Sequence, residues 1–159
     1  MKISVCAPSY KRPYPVKTAE YLPFVKVYVD HKEAPEYKKN NKCEIVSCPE
    51  GVQGNLCRIR NYILDTEFKN GADVVLLVDD DLEWVGYFEE KQKIKLPTEL
   101  FLAFIEKYSE IAKGFGALFW GLNVNDDKQC YREYSPFSTV SYVGGPFQCV
   151  LRGNELRYD

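Results

Sequence analysis

At 159 residues, 45% of them hydrophobic, the chain is long enough for one domain with a real core and too short for two comfortable ones. A formal net charge of −2 excludes a general polybasic field, so any contact with nucleic acid has to come from a local patch. Six cysteines with no C-x-x-C pair, and a single histidine, His31, argue against a zinc site and for reduced, mostly buried thiols. The opening "MKISVCAPSYKRP" is too briefly apolar for a secretory leader, and no apolar run approaches the ~20 residues of a membrane helix, so a cytoplasmic protein with no membrane partner is expected.

In chain order, Ile3 to Ala7 reads as a short buried strand that breaks at Pro8 into the loop "SYKRPYP". "FVKVYVD", Phe24 to Asp30, alternates as a second strand, and "CEIVSC", Cys43 to Cys48, makes a third, with "HKEAPEYKKNNK" between them as a polar connection. The period then changes. Leu56, Ile59, Ile63 and Leu64 share a helical face, Asn55 caps its start and Gly71 closes its end. Val74 to Val78 is an aliphatic strand buried on both faces, as parallel strands are. A second helix runs from Pro97 to Gly114, and "ALFWGLNVN" and "STVSYVGGPFQCVLRG" supply two further strands. The alternation predicts a single α/β domain over residues 1–159, a Rossmann-like, mostly parallel sheet flanked by helices with a small antiparallel C-terminal part. Ligands of such sheets bind outside the carboxyl ends of the strands, where the loops after Ala7, Val29 and Val78 gather.

Directly after the aliphatic strand stand three aspartates, Asp79, Asp80 and Asp81. Unpaired buried charges are costly, so a strand end bearing three carboxylates is either solvated or bound to a cation. If the extended conformation persists, Asp79 and Asp81 share one face and Asp80 takes the other. Two oxygen donors on one face suit Mg²⁺ or Mn²⁺, which take one or two carboxylates, waters and the oxygens of a substrate diphosphate. Lys11 and Arg12 after the first strand, and Arg58, Arg60 and Asn61 in the first helix, are of the type that binds phosphate opposite such a metal. Asp30 can accept from a base N–H or a ribose hydroxyl. The glycines of "VGGPF" either permit close backbone approach or mark a bulge.

"ISVCAPSYKRP" resembles the opening strand and loop of nucleotide-sugar-dependent glycosyltransferases of the GT-A type, "GNLCRIRNYIL" their helix with an Arg-Asn pair, and "VVLLVDDDLEW" their Asp-x-Asp strand end, in the same order. The resemblance spans roughly residues 1 to 90 and, with the closing "GNELRYD", is nearest to the TET-associated glycosyltransferases of phages and related family-2-like enzymes, thought to modify hydroxymethylated pyrimidines in DNA. It implies a GT-A-like fold, a hexosyltransferase-type activity, a Mn²⁺ or Mg²⁺ cofactor, a UDP-sugar or similar donor, hydroxymethylated DNA as acceptor, and a host cytoplasm if the chain is phage-encoded. Carried onto this sequence, it implies that Asp30 faces the donor's base, that Asp79 lies near the ribose with Asp80 beside it, and that Asp81 holds the metal. Pro8 with Lys11 or Arg12 would line the nucleotide pocket, and Arg60 with Asn61 would brace the donor side.

In that family an acidic segment following "LRYD" commonly supplies the base, and the present sequence ends at Asp159, as in a trimmed domain or a minimal variant. The base is therefore unassigned, Asp126 and Asp127 being candidates only as carboxylates after a strand, and inverting and retaining chemistry both stay open. Two alternatives stand beside this reading. One is a nucleotidyltransferase acting on a sugar phosphate, which usually needs glycines that "APSYKRPYP" lacks; the other is a non-catalytic nucleotide- or DNA-binding remnant of the fold.

Overall fold

The computed structural model describes all residues except Asp126, Lys128, Cys130, Tyr131, Arg132, Glu133, Pro136 and Leu156. In chain order the elements are β1 (Ile3–Pro8), α1 (Lys17–Tyr21), β2 (Lys26–Asp30), α2 (Ala34–Asn40), β3 (Glu44–Cys48), α3 (Leu56–Lys69), β4 (Val74–Val78), β5 (Gly86–Glu89), β6 (Gln92–Lys95), α4 (Thr98–Gly114), β7 (Phe119–Gly121) and β8 (Phe147–Leu151). The main sheet has six strands in the order β3-β2-β1-β4-β8-β7, and β5 and β6 form a separate antiparallel hairpin. β3, β2, β1 and β4 are parallel, while β8 runs against both β4 and β7. The domain is thus α/β with a mostly parallel, helix-flanked sheet.

The chain moves outward from β1 to β2 and β3, then crosses back to place β4 on the other side of β1. That reversal opens a crevice between the carboxyl ends of β1 and β4. β4 has five aliphatic residues in succession, all fully buried, because helices cover both sides of it. Val74, Leu76 and Val78 pack with Tyr21 of α1, Tyr37 of α2 and Phe101 and Ile105 of α4; Val75 and Leu77 meet Ile59, Ile63 and Leu64 of α3. Each such side chain contributes about 1.5–3 kcal/mol by leaving water, which makes β4 the best-anchored element bordering the crevice.

α3 begins and ends as its sequence predicts. The Asn55 Oδ1 accepts from the Arg58 N–H at 2.9 Å, and Gly71 takes φ +88°, the left-handed conformation that follows a helix end. Elsewhere the elements depart from expectation. The polar stretch between β2 and β3 contains α2, held by the fully buried Tyr37. The two late strands are cores of longer predicted runs, Phe119–Gly121 and Phe147–Leu151, and the chain leaves β7 and enters β8 at the carboxyl end of β4. No helix among the described residues is long and apolar enough to cross a membrane.

Candidate functional site at the β1–β4 crevice

A cavity of about 280 Å³ lies at this reversal point. Pro8 at the end of β1, with Tyr10 and Arg12 of the loop after it, forms one wall, Asp79, Asp80 and Asp81 after β4 form the other, and Leu56, the first residue of α3, completes it. A larger hollow of about 430 Å³ lies at the opposite end of the sheet, around Leu118, Phe119 and Gly153, and brings no set of charged groups together. The charged groups gather at the smaller one.

The carboxylate wall is built by Thr18, which is fully buried at the start of α1. Its Oγ1 donates to the Asp79 carbonyl at 2.6 Å and accepts from the Leu82 N–H at 2.8 Å, and its own N–H reaches the Asp80 carbonyl at 3.3 Å. On the other flank the Asp79 N–H donates to the Pro146 carbonyl at 3.3 Å. These bonds turn the chain at Asp80 and Asp81, so the strict alternation expected of an extended run ends at Val78. All three aspartates line the cavity, and the expectation that Asp80 turns away from it is corrected.

Their surroundings nevertheless differ. Asp80, with its side chain 13% exposed, accepts from the Ser9 Oγ at 2.5 Å and from the Arg12 guanidinium at 2.9 Å. The Tyr37 hydroxyl lies 2.9 Å from the Ser9 Oγ and accepts from the Arg12 N–H at 2.8 Å, so one buried tyrosine organises the β1 loop. Asp79 pairs with Arg60 of α3 at 3.3 Å. Burial raises the Asp79 carboxyl above its ordinary value; Arg60 opposes this, and Asp81 and Asp80 add to it. Asp81 is 62% exposed and lies 3.8 Å from Arg12, which leaves its oxygens open to the cavity.

The other residues singled out in the sequence lie as follows. Arg60 is buried; it donates to the Gly145 carbonyl at 3.0 Å, which gives the glycines of "VGGPF" a place beside the site. Asn61 faces the C-terminal segment, donating to the Tyr158 carbonyl at 2.7 Å and accepting from the Tyr158 N–H at 2.9 Å. Asp30 ends β2, where its Oδ1 accepts from the Lys32 N–H at 2.9 Å and lies 3.4 Å from the His31 Nδ1. Lys11 has φ +58°, donates its N–H to Glu33 at 2.9 Å and holds its ammonium 5.0 Å from the centre of the Tyr10 ring. Asp127 is exposed, its Oδ1 accepting from the Gln129 N–H at 2.9 Å, and Asp126 lies outside the described residues. The cavity thus gathers Pro8, Arg12 and the three aspartates; Arg60 reaches it through Asp79, and Asp30, Lys11, Asn61 and Asp127 are not among its walls.

Comparison of the chain with protein-family models, curated proteins and solved structures gave no match. Function has to be read from the site itself.

Tyr10, Leu56, Ser9, Thr18 and Tyr37 carry no chemical signature in a linear reading, since their roles arise only from the meeting of α1, α2 and the β1 loop. Among the described residues no three His, Cys, Asp or Glu side chains converge as a ready-made metal cage. What the chain offers is Asp79 and Asp81 on a wet cavity wall, mutually repelling and partly desolvated. Such a pair fits a hard divalent ion that completes its shell with water and ligand oxygens.

Proposed function

We propose that the protein is a metal-dependent glycosyltransferase that moves a sugar from a nucleoside-diphosphate sugar, UDP-sugar first among them, to an acceptor hydroxyl, with hydroxymethylpyrimidine in DNA as the preferred acceptor. One observation carries the reading: the carboxylates ending β4 face the cation of the β1 loop across a single cavity at the sheet's reversal point. A diphosphate with a divalent ion needs both signs of charge in close quarters. Asp79 and Asp81 would hold Mn²⁺ or Mg²⁺, which when bound neutralises the charge growing on the leaving diphosphate. Arg12 would answer the phosphate oxygens directly. The first turn of α3, reached through Leu56, adds the positive end of a 14-residue helix on the same side. The apolar faces of Pro8 and Tyr10 leave room for the uncharged part of a nucleotide. Choice of DNA as acceptor stands on the sequence resemblance alone.

The test is thermal. UDP with Mn²⁺ is expected to raise the Tm of the wild type, and Asp81→Asn to remove most of that shift. Equal shifts in both proteins overturn the assignment of Asp81 to the metal. Transfer itself is read by incubating a UDP-sugar with hydroxymethylated DNA and following the mass of the nucleosides.

A further inference from the structure

The C-terminal segment is latched onto α3 beside the carboxylate wall. The backbone of Tyr158 makes two hydrogen bonds with the Asn61 amide, and its hydroxyl donates to the Gln148 Oε1 at 2.6 Å. Arg157 pairs with Asp65 at 2.9 Å, and the Cys57 thiol donates to the Asp159 carbonyl at 3.0 Å. So fixed, the Tyr158 ring lies 5.5 Å from the Arg60 guanidinium carbon. Arg60 has 7% of its side chain exposed, its Nε has no hydrogen-bond partner among the described residues, and its NH2 group is shared between Gly145 and Asp79.

A guanidinium this deeply buried needs a counter-charge and a surface that tolerates cations. Asp79 supplies the first and the Tyr158 ring face the second. The dependence is mutual, because Asp79 is crowded by two like charges and Arg60 is the cation paired with it. Whatever sets the position of Arg60 therefore sets that of Asp79.

We propose that Tyr158 is a positioning residue for Asp79: anchored by Asn61 and Gln148, its ring holds Arg60 in the place from which the guanidinium orients the Asp79 carboxylate toward the cavity. The consequence for ligand binding rests on the reading of Asp79 as a ligand-holding carboxylate; the relay itself does not.

Two variants separate the ring from the hydroxyl. Tyr158→Phe keeps the ring face and the backbone anchors, whereas Tyr158→Leu keeps buried apolar volume without a ring. With UDP and Mn²⁺ as probe, Tyr158→Phe is expected to bind within about twofold of wild type, and Tyr158→Leu about thirtyfold more weakly, the size of a desolvated cation–π contact. In ligand-free protein, Tyr158→Leu and Asp79→Asn are combined and urea midpoints measured. Although the two residues do not touch, the double variant is expected to shift by clearly less than the sum of the single shifts, and additivity is expected to return in an Arg60→Met background. Additive shifts in the Arg60 protein overturn the relay, as does equal UDP affinity in the Phe and Leu variants. Non-additive midpoints with no UDP binding by any protein, wild type included, support the relay and reject the nucleotide-sugar reading.

Discussion

The three consecutive aspartates differ in what they touch, and so should differ in what their loss does. Asp80 is clamped by a serine and an arginine with little exposure, whereas Asp81 projects into the cavity with most of its side chain in water. Asp80→Ala leaves the Ser9 hydroxyl and one face of Arg12 without their acceptor, and is expected to cost about 1–3 kcal/mol in urea unfolding. Asp81→Asn is expected to change stability by less than about 0.5 kcal/mol, as exposed substitutions do, while removing most of the Tm shift expected with UDP and Mn²⁺. Similar stability losses in both would mean that the two carboxylates are not divided in this way. The triplet stood out in the sequence because charge at the end of an aliphatic run is a liability. Which carboxylate is clamped could not be read there, because it depends on a turn made by Thr18, 61 positions from the nearest carbonyl it holds.

At the scale of elements, α3 joins the site to the sheet through a buried stripe of Arg60, Ile63, Leu64 and Glu67. The two charges sit near the stripe's ends and belong to different networks. Glu67 accepts from the Ser4 hydroxyl at 2.5 Å, from Lys26 at 2.8 and 3.0 Å and from the Tyr28 hydroxyl at 2.5 Å, tying α3 to β1 and β2. Burial pushes the Glu67 carboxyl up, but its donors outweigh this and hold it below the ordinary glutamate value. A depressed carboxylate stabilises the fold fully above its unfolded-state pKa and loses that contribution as the pH falls through its folded-state value. Glu67→Gln is therefore expected to cost about 2–4 kcal/mol at pH 7, where Lys26 loses its counter-charge, with the gap to wild type narrowing in acid. A constant gap from pH 7 to pH 3 would count against it.

Much of this level was legible. β1, β3, α3, β4 and α4 follow from aliphatic runs, helical spacing, the Asn55 cap and the proline before α4. α1 is a five-residue helix too short for a period to show, and α2 buries only Ala34 and Tyr37. The β5–β6 hairpin turns at Glu90 and Lys91 with φ of +48° and +65°, a conformation usually signalled by glycine or asparagine, so its sequence carries no turn signal. The burial of Arg60 and Glu67 shows only in the fold, because their partners arrive from β4, β1 and β2.

For the whole molecule, strand order matters more than any one element. Placing β1 between β2 and β4 brings a basic loop and an acidic loop to one opening, and reversing β8 brings Gly145 and Pro146 to the same end. The site therefore draws on chain segments near residues 10, 56, 80 and 145, and a linear reading sees their types but not their meeting. Three cysteines, Cys6, Cys48 and Cys149, are buried free thiols within this arrangement, which suits their reading as small core residues.

The junction between Val78 and Asp79 divides a fully buried strand from a wet carboxylate wall within one peptide bond. Length changes should therefore be tolerated unequally on its two sides. Removing Val78 draws Asp79 into the register position opposite Phe147, inside the sheet, and the variant is expected to be recovered unfolded or insoluble. One extra residue between Glu90 and Lys91, both exposed at the hairpin tip, is expected to leave solubility and Tm nearly unchanged. In a library of single insertions and deletions, the boundary between intolerance and tolerance should fall at the carboxylates, making their spacing from the sheet a quantity that selection on folding alone would hold fixed.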